Sequence, residues 1–201
     1  MPSDEKVPVT TLPKIRKKLT EHEHPEWIVE TEYLADIFKD MQGIVGVNGS
    51  IFQPGCGCGY VLDALWEVGY RNLTGLDRNY INTDGSDWNY WNPKIKFIHA
   101  ELEDAIDGVK QYDVVLGHRF FQVLPEGYDW LFGKLASRAR KFIVTLEGED
   151  EDKTSFWHHH KRNYKEVFEK YGFLQVFEET NVFPLQNFGI KTMILRVFKR
   201  K

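Results

Sequence analysis

Apolar positions recur along the chain in two rhythms, a helical one and an alternating one, punctuated by glycines. After Pro25 the apolar residues Trp27, Leu34, Ile37, Phe38 and Met41 follow three- and four-residue steps as far as Gly43, which predicts an N-terminal helix over residues 25–42. Short apolar runs then alternate with amphipathic stretches. Ser50–Gln53, Leu73–Asp77, Lys96–His99, Tyr112–Gly117 and Lys141–Leu146 read as strands. Val61, Leu62, Leu65 and Val68 place a helix after the first strand, and residues 130–140 place another before the fifth. Strands separated by helices need crossover connections, so a mostly parallel sheet covered on both faces is expected. The tail breaks this rhythm. Phe173–Thr180 and Lys191–Lys199 are strand-like runs joined through Pro184, Asn187 and Gly189, a hairpin signal that ends the sheet with an antiparallel strand.

The resulting expectation is an α/β fold: a doubly wound, seven-stranded, mostly parallel sheet with a C-terminal antiparallel hairpin. A single domain is predicted over 25–201, with its core at 50–201. Residues 1–24 differ in composition, with Lys6, Lys14, Arg16, Lys17 and Lys18 among few large apolar groups, and read as a basic, flexible arm. Such an arm serves either as a solubilising tail or as a partner-binding segment. The length of 201 residues with 42% hydrophobic content suits one core rather than two.

Charge and cysteine usage narrow the function classes. Thirty acids face 26 bases, and the formal charge of -4 supplies no global field to gather DNA or anionic lipid, so nucleic acid is not the default partner. Cys56 and Cys58 are the two cysteines, too close for an ordinary disulfide and without the spacer of common zinc hooks. No metal cofactor is expected. Met1–Thr10 has no apolar signal core and no later run approaches the roughly 18 apolar residues of a membrane span, so a cytoplasmic location without a membrane is expected. Aromatic residues reach 14%, enough to fill a core and leave rings for a pocket.

The sharpest local signal is Gln53-Pro54-Gly55-Cys56-Gly57-Cys58-Gly59, set between a strand and a helix. Glycines there allow positive φ and let a ligand approach where a Cβ would block it. Asp77 ends the next strand, about 20 residues on, where an acid commonly accepts hydrogen bonds from ribose hydroxyls. The pattern points to an adenosine-bearing ligand. The spacing departs from the Gly-x-Gly-x-x-Gly dinucleotide fingerprint, and the phosphate-loop Gly-Lys-Ser/Thr is absent.

With these residues the sequence resembles the class I S-adenosylmethionine-dependent methyltransferases, from about residue 50 to residue 201. Gly75-Leu76-Asp77 resembles the family's acidic end of the second strand. Phe97 to Leu102 is similar to its third-strand segment, with Glu101 at the adenine-reading acid. Tyr112 to His118 followed by Phe121 to Pro125 resembles the fourth strand and the loop bordering the reacting methyl. Asn163 to Phe173 resembles the last helix and the entry to the terminal hairpin. Gln53 stands where the family usually carries an acid, and Arg78 to Pro93 reads as an aromatic-rich loop where the family usually runs into a helix.

The resemblance implies a Rossmann-like methyltransferase fold, S-adenosyl-L-methionine as cofactor and S-adenosyl-L-homocysteine as product. It implies cofactor contacts from Gln53, Gly55, Cys56, Gly57, Gly59, Asp77, Arg78, Glu101, Leu102, Gly117 and His118. His118 is the candidate base, against the plainer reading of a histidine bonded to backbone. Arg119, Phe121, Glu147, Trp157 and His158 are candidates for acceptor binding. Glu147 also opens an acidic run that reads as a solvated loop, and His158 to His160 as an exposed or metal-binding segment. The expected reaction is methyl transfer to an O or N nucleophile of a small-molecule acceptor. A cofactor-binding protein without turnover, and an RNA or protein methyltransferase docking through the basic arm and Lys199-Arg200-Lys201, are the alternatives.

Overall fold

The period-2 alternation within the strands decides which side of the sheet each residue serves, and it separates two cores. A computed structural model describes residues 26–79, 92–150, 159–180 and 193–201. Its strands are β1 (Ser50–Pro54), β2 (Asn72–Asp77), β3 (Lys96–His99), β4 (Tyr112–His118), β5 (Ala139–Gly148), β6 (Phe173–Glu179) and β7 (Met193–Arg200). The helices are α1 (Glu26–Asp40), α2 (Gln42–Val45), α3 (Tyr60–Glu67), α4 (Leu102–Ala105), α5 (Trp130–Arg138) and α6 (Tyr164–Glu169). Ile51, Val114, Leu116, Val144 and Val197 face a core shared with α1 and α3. Their neighbours Phe52, Val115, Ile143 and Phe198 face the other core, with α5 and α6.

The strand order is β3-β2-β1-β4-β5-β7-β6. The first five strands are mutually parallel, and β7 runs antiparallel between β5 and β6. The doubly wound sheet with an antiparallel end is thus as expected. The expected hairpin gains one feature: its second strand inserts next to β5, leaving β6 at the edge. Order reverses beside β1, between β2 and β4, and a ligand crevice is expected outside the carboxyl ends of those strands.

Boundaries shift where local rules compete. The predicted helix 25–42 stops at Asp40 and resumes as the single turn of α2. β5 extends two residues beyond each end of Lys141–Leu146, because β4 pairs with it at Ala139 and β7 pairs along it as far as Gly148. The N-terminal arm, the aromatic stretch from Trp88 to Trp91, and both Trp157 and His158 lie outside the described residues.

Candidate active site

Three adjoining strand ends build the site. At β1 the chain turns through Gly55, Gly57 and Gly59, with φ of 62°, 53° and 80°, conformations that L side chains rarely adopt. The turn is fixed to the next strand in two places: Cys56 N–H donates to the Leu76 carbonyl (3.1 Å) and Gly57 N–H to Asp77 Oδ2 (2.8 Å). Asp77 Oδ1 accepts from Asn79 N–H at 2.9 Å. A carboxylate offers about four acceptor positions. Asp77 therefore anchors both loops and keeps acceptor capacity for a ligand.

A cavity of about 670 Å³ opens at this switch point, within the size range of small-molecule sites. One wall is formed by Gly55, Leu76, Asp77, Arg78, Glu101 and Leu102, so five of the predicted cofactor positions meet there. The other wall is more apolar, with Phe120, Val123, Leu124, Pro125 and Tyr128, and carries Arg119, Gln122 and His159 as its polar groups. Gln53, Cys56, Gly57, Gly59, Gly117 and His118 are not among its lining residues. Gln53 is buried at the end of β1, and its Oε1 has no partner among the described residues. An unsatisfied buried acceptor costs free energy until a donor arrives, so this amide suits a cofactor's ammonium group. The cradle at Gly55 is narrower: a Cβ there would meet the Phe120 ring at 2.1 Å. The adenosine side of the cavity fits the implied cofactor, and Phe120 lies against the loop at the other side.

The loop after β4 is held by acids. Arg119 adopts φ 50°, the one positive value for a non-glycine among the described residues. Its Nε and Nη2 donate to Glu30 of α1 at 2.7 and 2.6 Å, and His118 Nε2 lies 2.8 Å from the same carboxylate. Burial raises the Glu30 pKa, but His118 and Arg119 outweigh it and leave this carboxyl below its ordinary range. Arg119 reaches the cavity already paired.

Glu147 requires a correction. Expected either to touch the acceptor or to sit in a solvated loop, it is fully buried and accepts from the backbone N–H groups of Phe120, Phe121 and Gln122 at 3.2, 3.1 and 3.2 Å. Burial pushes its carboxyl up to about 8, against those three donors. Phe121, also expected at the acceptor, is fully buried in the α5–α6 core beneath the cavity, edge-on to Phe132. Both residues support the pocket floor from below.

Three polar residues were not singled out in sequence: Gln122, His159 and Glu30. Gln122 Oε1 accepts from Gly148 N–H at 2.5 Å, which fixes the amide so that its NH₂ faces His159 Nε2 at 3.2 Å. The His158 to His160 run hinted at a site, but its spacing alone did not select His159. Glu30 had a signal: it shares the buried helical face of Leu34, Ile37, Phe38 and Met41. Burial and the nearby Asp77 charge raise the pKa of Cys58, and burial above all raises that of Cys56. Neither is a ready thiolate. Among the described residues no group of three or more His, Cys, Asp and Glu side chains has the arrangement to hold a metal ion, and no helix is long and apolar enough to cross a membrane.

No family model and no curated protein sequence matches the chain. Solved structures do. A magnesium protoporphyrin IX methyltransferase from Synechocystis with bound SAM superposes with TM-score 0.60 at 15% identity, over 92% of this chain and 89% of that one. A 1,6-didemethyltoxoflavin-N1-methyltransferase from Burkholderia thailandensis gives 0.62 at 14% identity, over 85% and 78%. A putative RNA methyltransferase from Pyrococcus horikoshii gives 0.56 at 12% identity, over 90% and 87%. The chain has the class I, Rossmann-like methyltransferase fold. Within that methyltransferase fold the Gly loop and Asp77 occupy the ends of the first two strands, and His118 ends the fourth.

Proposed function

We infer that the chain is an S-adenosylmethionine-dependent methyltransferase whose acceptor is a small, largely apolar molecule presenting an oxygen or nitrogen nucleophile. The observation that carries this reading is one continuous cavity with two unlike walls: Asp77, Glu101 and Leu102 on one, and Phe120, Val123, Leu124, Pro125 and Tyr128 with Gln122 and His159 on the other. In this assignment Asp77 holds the ribose, and Glu101 and Leu102 frame the adenine. The bound cofactor supplies an electrophilic methyl on a sulfonium. The protein's part is orientation and exclusion of water, which accounts for most of the catalysis an in-line displacement needs. His159, which lines the cavity and is held by Gln122, is the group assigned to orient the nucleophile, and His118 contacts Glu30.

Charge argues against a polyanionic acceptor. The cavity wall is acidic at Asp77, Glu101 and Glu103, and Arg119 is neutralised by Glu30. Binding without turnover is the second reading, favoured by the Phe120 ring against Gly55. Calorimetry with S-adenosylmethionine and S-adenosylhomocysteine tests the cofactor assignment: binding by the protein, lost in Asp77→Ala, is expected, and no binding sinks it. Release of S-adenosylhomocysteine above background with pooled apolar acceptors then separates turnover from binding alone.

A further inference from the structure

The end of the sheet opposite the cavity collects what the overall charge of -4 conceals. A cleft of about 410 Å³ there is lined by Arg140, Lys141, Lys199, Arg200 and Lys201 together with Ile44. Asp113 offsets part of this charge, lying 3.1 Å from Arg140 and 3.3 Å from Lys141. Even with Asp113 counted, the cleft keeps a positive surplus. Lys199 and Lys201 are exposed, and the side chains of Arg140 and Lys141 are 48% and 51% accessible.

The exposed apolar groups gather at the same end. Six large hydrophobic residues among those described are exposed, and four of them, Ile44, Val47, Tyr171 and Leu174, belong to segments at this end of the sheet. Ile44 lines the cleft. Val47 precedes β1 closely, and the Ser50 hydroxyl that follows accepts from Arg140 at 3.1 Å. Tyr171 and Leu174 flank Gly172, whose carbonyl accepts the Lys201 N–H at 3.0 Å, and Leu174 stands opposite Lys199 in the β6–β7 ladder.

We propose that this end of the sheet is a docking surface for an anionic lipid bilayer. Cations neutralise headgroups while flanking apolar and tyrosine side chains enter the headgroup boundary, a pairing of chemistries that a phosphate backbone alone does not call for. The acidic cavity lies at the other end of the strands, roughly 30 Å away for a ten-residue strand such as β5. Docked in this way, the protein turns its positive end to the lipid and its cavity to the water. The surface is independent of what the cavity binds.

Co-sedimentation of the full chain with phosphatidylcholine vesicles, with and without about one third phosphatidylserine, tests the proposal. Binding is expected only to the anionic vesicles, weakening with salt, and dropping roughly tenfold or more in Lys199→Glu/Lys201→Glu. Ile44→Ser/Leu174→Ser should also weaken it with thermal unfolding unchanged, which separates surface loss from misfolding. The proposal is overturned by absence of binding to anionic vesicles at low salt. It is equally overturned by binding that survives the charge reversal, which would assign it to another segment, or by an RNA oligonucleotide that displaces the protein from vesicles and binds more tightly.

Discussion

Glu30 and Arg119 are joined by two hydrogen bonds of 2.7 and 2.6 Å, and this ion pair ties the N-terminal helix to the loop that follows β4. The pair holds Arg119 in its left-handed conformation, which costs on the order of 1–3 kcal/mol for a residue with a Cβ. Glu30 is fully buried, so its removal leaves the Arg119 guanidinium without its acid and takes away the hydrogen-bond partner of His118. Glu30→Ala is expected to lose about 3–5 kcal/mol of stability, as for other broken buried pairs, and Glu30→Gln less, because it keeps one acceptor. The carboxyl titrates below its ordinary range, so its stabilisation is complete above the unfolded value and is lost as pH falls through the folded one. Denaturant unfolding at decreasing pH measures both effects. Equal acid sensitivity of wild type and Glu30→Gln would contradict this account.

Gly55 and Gly57 provide a matched pair of substitutions. Both have positive φ, so alanine at either costs about 1–2 kcal/mol of backbone strain. Only at Gly55 does the new Cβ meet a neighbour, the Phe120 ring at 2.1 Å; at Gly57 nothing lies within 4 Å. Gly55→Ala is expected to be the more destabilising and to displace the loop that lines the cavity. Phe120→Ala should restore much of the Gly55→Ala loss and none of the Gly57→Ala loss. A double-mutant cycle read by unfolding decides it, and additivity between positions 55 and 120 would remove the contact from the argument.

The parts of the fold legible in sequence were those governed by local period and turn chemistry. The alternation in β4 and the glycines after β1 place both elements without knowledge of what they touch. Asp77 was legible for the same reason, since a strand end and a spacing suffice to locate it. Glu147 was misplaced because its burial depends on the backbone of residues 120–122, some 26 positions away, folding over it. His159 and Gln122 meet across 37 residues, and neither carries a pattern that announces the other. The buried face of α1 did contain Glu30 at helical spacing. An acid in an apolar stripe signals a buried partner, although it does not name one.

Glu147 gives a pH dependence of opposite sign to that of Glu30. Burial raises its carboxyl to about 8, so the folded state keeps a proton that the unfolded chain releases at its ordinary value of 4.5. Stability from this group is therefore greatest in acid and declines as pH rises towards about 8, by up to about 1.4 kcal/mol per pH unit. Glu147→Gln cannot ionise and should flatten the decline. Unfolding measured from mildly acidic to mildly alkaline buffer tests it. Identical profiles for the two proteins would mean that Glu147 remains charged beneath its three amide donors.

The Gln122–His159 contact sets the proton on the imidazole. Because Gln122 Oε1 is committed to Gly148 N–H, its NH₂ must donate to His159 Nε2, and the neutral ring then carries its proton on Nδ1. Nitrogen NMR of the neutral protein should show the Nδ1–H tautomer at His159, and Gln122→Met should erase that preference. If His159 orients the acceptor, as the proposed function requires, His159→Phe raises the acceptor KM by roughly tenfold, the scale of one lost hydrogen bond in a buried site. Cofactor affinity should stay within error of wild type, since Asp77, Glu101 and Leu102 line the other wall. A parallel loss of cofactor binding would place His159 on the cofactor side of the cavity and require a different orienting residue.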